Sequence, residues 1–189
     1  MQKIDKLFEC AKDFYNNGDP AHDITHIKRV MGTCKVLAPS EGANLEIVLA
    51  AALLHDIVNL PKNHPERLSA SQMAAEKSKV MLRDCGFSVG EIERIAIVIT
   101  EHSYSLGKKP SSIESAVLQD ADKLDALGAI GIMRTVSCGV RLGATYYEAN
   151  DPFAKDRLLN DKEFTLDHFY NKLFKLPELM NTKTAKLEA

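Results

Sequence analysis

Residues 47–56 read Ile47-Val48-Leu49-Ala50-Ala51-Ala52-Leu53-Leu54-His55-Asp56, an apolar run that ends in a histidine and an aspartate. A helix that is apolar on every side belongs at the centre of a fold, surrounded by other elements. We therefore predict a central helix from about Asn44 to Asn59, closed by Pro61. A charge in such surroundings is costly unless it is paired or binds a cation. His55 and Asp56 are thus the first candidate functional residues.

The segments on both sides of this run show the one-face spacing of amphipathic helices. We predict further helices over residues 4–15, 24–38 (ending before Pro39), 66–85, 88–102, 113–136 and 166–180, the last interrupted near Pro177. Ser88-x-x-Glu91 and Ser111-x-x-Glu114 are typical of capping boxes that open the helices at 88–102 and 113–136, which are the fifth and sixth of the chain when the central helix is counted. Residues 137–164 are predicted to be irregular, and strand alternation is not apparent. The predicted fold is all-α, a compact single-domain helical bundle.

Composition excludes several classes of protein. The chain has 189 residues, enough for one domain, and its formal net charge of −2 argues against binding a nucleic-acid polymer. Its four cysteines are scattered without a C-x-x-C pair, which argues against a disulfide framework or a thiolate zinc site. The sequence lacks a signal-like N-terminus and an apolar run of about 18 residues. We expect a cytoplasmic protein without a membrane segment.

The second predicted helix carries a polar flank beside its apolar face. At about 100° per residue, His26 lies at the edge of the apolar arc, with His22 one turn earlier and Arg29 on the same side. For His26 alone, a hydrogen-bonded core histidine is the simpler reading. The neighbouring pair His55 and Asp56 favours a metal site, and a buried salt bridge is the main alternative.

Three aspartates fall in the sixth predicted helix. Asp120 and Asp122 are about 200° apart around a helix, whereas Asp122 and Asp125 are near neighbours. Asp122 is therefore the best candidate to face inward. Asp125 could orient a metal-ligating side chain by forming a hydrogen bond with it. Asp120 fits a solvated acidic helix flank.

Two other histidines allow alternative readings. His102 follows the inward face of the fifth predicted helix, so it either lines the same cavity or caps its own helix. His64 lies in the connection after the central helix, where it could touch a substrate or be an ordinary loop residue.

The ordered set His26, His55-Asp56 and Asp122 resembles the HD-domain superfamily of metal-dependent phosphohydrolases. The flanking residues, His22-Asp23-x-x-His26-x-x-Arg29-Val30 and Leu54-His55-Asp56-Ile57, match as well. The segments at 119–131, 166–170 and 180–186 resemble a subgroup of small, stand-alone members. The resemblance implies one HD domain over residues 1–189, with the motif core at about 20–136 and a C-terminal helical extension at about 165–189.

The resemblance also implies the chemistry. We expect hydrolysis of a phosphate ester or phosphoanhydride in a nucleotide or related small molecule, by water that a metal activates. The expected cofactor is one divalent transition metal ion per chain, Mn²⁺, Fe²⁺, Ni²⁺, Co²⁺ or Zn²⁺, with Mg²⁺ as an alternative. A homodimer is left open. The expected metal ligands are His26, His55, Asp56 and Asp122. The catalytic candidates are Asp56, Asp122 and His22, and the residues expected to orient ligands are Asp23 and Asp125. The candidates to bind substrate are Arg29, Lys62, His64, Arg67, His102 and Lys123.

One departure from the family pattern keeps two alternatives open. Several HD-domain nucleotidases carry a catalytic carboxylate within one turn after the His-Asp pair, but residues 57–60 here contain no acid. The general base must then be hydroxide itself, Asp56, Asp122 or a residue from elsewhere. One alternative is a di-metal phosphodiesterase or oxygenase, with His64 and His102 as extra ligands. The other is a nucleotide sensor without catalytic activity that keeps the metal as a clamp.

Overall fold

The protein is described by a computed structural model that covers residues 2–15, 18–60 and 64–189, so Lys62 lies outside the described residues. Within these ranges the chain forms α-helices joined by turns and short 3₁₀ segments, and the one β-type pairing is an isolated bridge between Thr145 and Phe164. The predicted all-α class is confirmed. The helices are α1 (Gln2–Ala11), α2 (Ile24–Ser40), α3 (Leu45–Leu54), α4 (Ala70–Asp84), α5 (Val89–Glu101), α6 (Ile113–Leu124), α7 (Gly128–Leu142), α8 (Asp167–Asn171) and α9 (Lys183–Glu188).

Helix α3 is the centre of the fold, as its sequence predicts. All residues from 47 to 54 are buried, and α1, α2, α5 and α6 pack around them. The Asn44 side chain caps the start of α3 by accepting a hydrogen bond from the Ile47 backbone amide. The helix ends at Leu54 and not near Asn59 as predicted. His55 and Asp56 therefore follow directly from the most buried helix of the protein.

Local capping signals were predicted with mixed success. Ser88 and Glu91 form the expected capping box at the start of α5. The second box is wrong by one residue, because Ser112 caps α6 by accepting from the Ser115 amide. Glu114 instead accepts hydrogen bonds from the Asn44 amide and from Arg94, joining α6 to α3 and α5.

The predicted helix over 113–136 is two helices. The backbone of Asp125 ends α6, and Gly128 adopts φ +62°, a left-handed conformation that glycine reaches without steric cost. A Cβ on Gly131 would lie 2.1 Å from the carbonyl oxygen of Ala126, so glycine is required where the chain folds back. Helix α7 then extends to Leu142, beyond the predicted end. This break turns Asp125 back toward α2.

The C-terminal region is held by Asp120. The Asp120 carboxylate is fully buried and accepts hydrogen bonds from the backbone amides of Asn181 and Thr182 and from the Lys123 ammonium. The expected solvated flank at Asp120 is therefore wrong, because this carboxylate anchors the last segment of the chain. The predicted helix over 166–180 is reduced to α8 and two 3₁₀ turns, and α9 follows. Across the described ranges, none of the helices combines the length and apolarity needed to cross a membrane.

Candidate metal centre

The first turn of α2 fixes the position of His26. Asp23 is the N-cap residue, and its carboxylate accepts hydrogen bonds from the backbone amides of Thr25 and His26. Asp23 thus orients the helix start that carries His26, in place of contacting the imidazole directly. The His26 side chain is completely buried.

Three histidines share one arrangement of hydrogen bonds. His26 Nδ1 lies 2.7 Å from Asp125 Oδ2. His55 Nδ1 lies 2.8 Å from the carbonyl oxygen of Ala52, and His102 Nδ1 lies 2.6 Å from the carbonyl oxygen of Ile99. These partners can only accept, so each Nδ1 carries the hydrogen and donates it. In the neutral imidazole, each Nε2 is then left with a lone pair, the form in which histidine binds a metal.

The Nε2 atoms face two carboxylates. His26 Nε2 lies 3.6 Å from Asp122 Oδ1 and 3.9 Å from Asp56 Oδ2, and His55 Nε2 lies 3.5 Å from the same Asp56 oxygen. Among the described residues, these two Nε2 atoms are the buried side-chain polar atoms without a hydrogen-bond partner. A buried polar atom left unpaired costs about 1–3 kcal/mol. Their orphaned state indicates that the site is built for a ligand that the protein does not itself supply.

A divalent cation fits this donor set. Ligand atoms of His26, His55 and Asp56 all lie within 4.8 Å of one another, a spacing that one ion can bridge. The side chains of Asp56 and Asp122 are 14% and 26% exposed, so the carboxylate side of the group opens toward solvent. Mixed imidazole and carboxylate donors suit first-row transition metals.

Burial and charge set the protonation of the group in opposite directions. Burial lowers the pKa of His55 to about 4, so its imidazole is neutral at pH 7. Burial would raise the pKa of Asp56, but the nearby His55 and His102 rings outweigh it and hold this pKa well below its ordinary value. Burial likewise opposes the ionisation of Asp122, whose pKa is nevertheless lowered by His55 and His26. The group therefore combines ionised carboxylates with at least one neutral imidazole.

His102 faces the opposite oxygen of Asp56. Its Nε2 lies 3.6 Å from Asp56 Oδ1, and its ring packs edge-on against the ring of His55 at 4.9 Å between centroids. Burial lowers the pKa of His102, but its interaction with Asp56 is stronger in total and raises it. The two interpretations from the sequence are therefore compatible: His102 ends its own helix through Nδ1, and its Nε2 faces Asp56 beside the candidate metal ligands.

Asp125 is the hydrogen-bond acceptor that orients His26. Besides His26 Nδ1, its carboxylate accepts from Arg29 Nε at 2.6 Å and from Arg134 Nη1 at 2.8 Å. Arg134 also donates through Nε to the carbonyl oxygen of Ala21. Burial acts against ionisation of Asp125, but the hydrogen bonds from His26 and Arg29 lower its pKa to about 2. Arg29 therefore acts on His26 through Asp125.

His22 is held beside the metal candidates by Asp19. His22 Nδ1 lies 2.8 Å from Asp19 Oδ2, and its ring packs edge-on against that of His26, with centroids 6.0 Å apart. The same Asp19 oxygen pairs with Arg141 Nη1 at 2.5 Å. Sequence reasoning missed Asp19, because Asn16-Asn17-Gly18-Asp19-Pro20 reads as a helix stop. It missed Arg134 and Arg141 as well, because only their long-range contacts bring them here.

The remaining substrate-binding candidates are placed as follows. Lys123 donates to Asp120 and to the carbonyl oxygen of Leu179, so it serves the C-terminal segment. His64 accepts a hydrogen bond from the backbone amide of Glu66 within its own connection. Arg67 lies 3.4 Å from the side-chain oxygen of Asn59. Lys62 lies outside the described residues.

Comparison with known proteins identifies the family. The sequence model of the HD-domain family matches residues 23–127, a range that contains the cluster of imidazoles and carboxylates described above. The chain belongs to the HD-domain superfamily. HD domains bind divalent metals, and His26, His55 and Asp56 form the candidate metal-binding triad of this chain.

Known relatives of this HD-domain protein align with nearly its whole length. The uncharacterized protein YpgQ of Bacillus subtilis is 33% identical over an alignment of 190 positions, which covers 98% of this chain and 84% of YpgQ. The crystal structure of YpgQ in complex with ADP has a TM-score of 0.74 at 30% identity, covering 98% of this chain and 87% of that one. An HD-superfamily hydrolase from Bacillus thuringiensis has a TM-score of 0.72 at 34% identity, covering 98% and 86%. These findings support a hydrolase of the HD superfamily.

Proposed function

We propose that this protein is a metal-dependent phosphohydrolase that cleaves a phosphate ester or phosphoanhydride of a nucleotide or related small molecule. The observation that carries the proposal is the pair of orphaned Nε2 atoms on His26 and His55, which face the carboxylates of Asp56 and Asp122. Nucleotides are favoured as substrates because a relative that matches nearly the whole chain was crystallised with ADP.

His26, His55, Asp56 and Asp122 would hold the cation, with Mn²⁺ or a similar first-row ion as the first choice. When bound, such an ion lowers the pKa of water toward about 7 and polarises the phosphoryl group. Asp125 keeps the His26 ring in the orientation that presents Nε2, because Nδ1 stays bonded to the carboxylate.

His22 is the proposed proton carrier. Because its Nδ1 is bonded to Asp19, Nε2 is the atom free to take a proton from the attacking water or to give one to the leaving group. Asp19 thereby supplies a carboxylate near the site from the segment before α2, whereas residues 57–60 contain none. Asp56 and Asp122 remain alternative bases.

A substrate screen tests the proposal. Purified protein would be incubated with Mn²⁺ and nucleoside mono-, di- and triphosphates or pyrophosphate, and released phosphate and pyrophosphate would be measured. We expect turnover of at least one nucleotide, abolished by a chelator and restored by Mn²⁺. Tight nucleotide binding without turnover would instead identify a sensor that uses the metal as a clamp.

A two-ion enzyme is a second candidate, and the position of His102 favours it. His26 and His55 lie near Oδ2 of Asp56, whereas His102 lies near Oδ1, so this carboxylate could be shared between two ions. Metal analysis of the loaded protein distinguishes the candidates. One equivalent per chain supports the single-ion enzyme, and two equivalents that fall to one in His102→Ala support the two-ion enzyme.

A further inference from the structure

Several cations near the candidate metal centre are already engaged by carboxylates. Arg29 and Arg134 both donate to Asp125, whose side chain is 6% exposed. Lys123 is held by Asp120 and a backbone carbonyl. Arg29 donates through Nε and Nη2 to Asp125 and through Nη1 to Thr25, so a phosphorylated substrate could recruit it only by breaking contacts of a buried carboxylate, which is costly. The cation that binds substrate is better sought at the border with solvent.

Arg141 occupies such a border. It lies in the last turn of α7, its side chain is 49% exposed, and its Nη1 pairs with Asp19 Oδ2. That oxygen also holds His22 Nδ1, and the His22 ring packs against the ring of His26. Arg141 is therefore three contacts away from the candidate metal ligand His26 while remaining accessible to solvent.

The surroundings of Arg141 form a polar network along the same border. The Asn59 side-chain nitrogen lies 3.4 Å from Asp19 Oδ2, and Arg67 Nη1 lies 3.4 Å from the Asn59 side-chain oxygen. Arg67 and Arg141 thus approach Asp19 from two different parts of the chain. Both hydrogen bonds of Asn59 are long, so the network can rearrange at low cost when an anion enters.

We infer that Arg141 is a substrate-binding residue that contacts a phosphoryl group of the substrate next to the candidate metal centre. The inference rests on the proposed function and assigns a residue for its substrate. A guanidinium has five N–H donors in a planar fork that matches two phosphate oxygens. Asp19 engages Nη1, and pairing with phosphate through the rest of the fork leaves the Asp19–His22 hydrogen bond in place.

Calorimetric titration with ADP in the presence of Mn²⁺ tests this role, using the full chain and the variant Arg141→Met. Loss of a charged hydrogen bond predicts a Kd at least about tenfold higher. KM for a turned-over nucleotide should rise by a similar factor, with a smaller change in kcat, and Mn²⁺ content should stay at the wild-type level. Arg141→Lys, which keeps the charge but not the fork, should recover part of the loss and provides a second variant if Arg141→Met folds poorly.

Arg94 provides a matched control. It is 54% exposed and pairs at 2.9 Å with Glu114, whose side chain is 10% exposed, compared with 49% and 9% for Arg141 and Asp19. Arg94→Met should leave the Kd for ADP within about twofold of wild type, since a surface substitution away from the site has little effect. If the wild type binds ADP and both Arg141 variants bind it as Arg94→Met does, the inference is overturned while the proposed function stands. If the wild type neither binds nor hydrolyses any phosphate compound, both fail.

Discussion

Replacing Asp125 by asparagine would remove one negative charge from a carboxylate that three side chains share. The amide oxygen of asparagine can still accept a hydrogen bond from His26, so the shape of the contact is retained. Arg29 and Arg134 would lose their common counter-charge. The substitution therefore separates the role of charge at Asp125 from its role in packing.

The depressed pKa of Asp125 gives the size of the effect. The folded protein holds this pKa at about 2, compared with an ordinary value of 3.8. At about 1.4 kcal/mol per pKa unit, ionised Asp125 stabilises the folded state by about 2 kcal/mol at pH 7. Because the folded-state pKa is the lower one, the stabilisation is complete above the ordinary value and is lost as the pH falls toward 2. The difference between wild type and Asp125→Asn should shrink to about half near pH 3.

Urea unfolding monitored by circular dichroism, at pH values from 7 downward, measures this difference in the free energy of unfolding. A chelator in the buffer removes any contribution from bound metal. Asp13→Asn, which makes the same charge change at an exposed position, should alter stability by less than about 0.5 kcal/mol. A second expectation is a Mn²⁺ affinity about 10- to 100-fold lower in Asp125→Asn. Equal stability of the two variants at pH 7, or a difference that does not depend on pH, would refute the reasoning.

Three further substitutions test other parts of the structure. Asp56→Ala should abolish Mn²⁺ retention and turnover while circular dichroism shows unchanged helical content; full phosphatase activity in this variant would contradict the proposed site. His22→Ala should lower kcat more than it lowers metal content, and metal loss as severe as in His26→Ala would instead make His22 a ligand. Gly131→Ala should destabilise the protein by about 1–3 kcal/mol in urea unfolding, because its Cβ would meet a carbonyl oxygen at 2.1 Å. Gly90→Ala, at an open helical position, should cause no loss, and similar destabilisation by both changes would argue against the close contact at 131.

Features that depend on local sequence could be predicted. The apolar run before His55 determines a central helix, and Ser88 with Glu91 determines a cap, because both depend on residues within one or two turns. Helical rotation also separated Asp120 from Asp122 correctly. The first holds the C-terminal segment, and the second lies near His26.

Features that depend on distant contacts could not be predicted. Arg134 donates to the carbonyl oxygen of Ala21, which is 113 residues away in the chain, and helical spacing carries no information about such a partner. The break before α7 was missed because the backbone of Gly128 adopts positive φ, which helical spacing in the sequence does not reveal. Lys123 was expected near the substrate because it follows Asp122. One residue of helical rotation, however, carries it to the side of Asp120.

The orphaned Nε2 atoms of His26 and His55 also affect how the protein withstands heat. An unpaired polar atom in the interior costs free energy, so these two atoms should reduce the stability of the metal-free protein. A cation that binds only the folded chain would restore this loss by mass action, in proportion to the logarithm of its concentration. The Tm should therefore rise with added Mn²⁺, so a melting curve would report occupancy of the centre before any substrate is known.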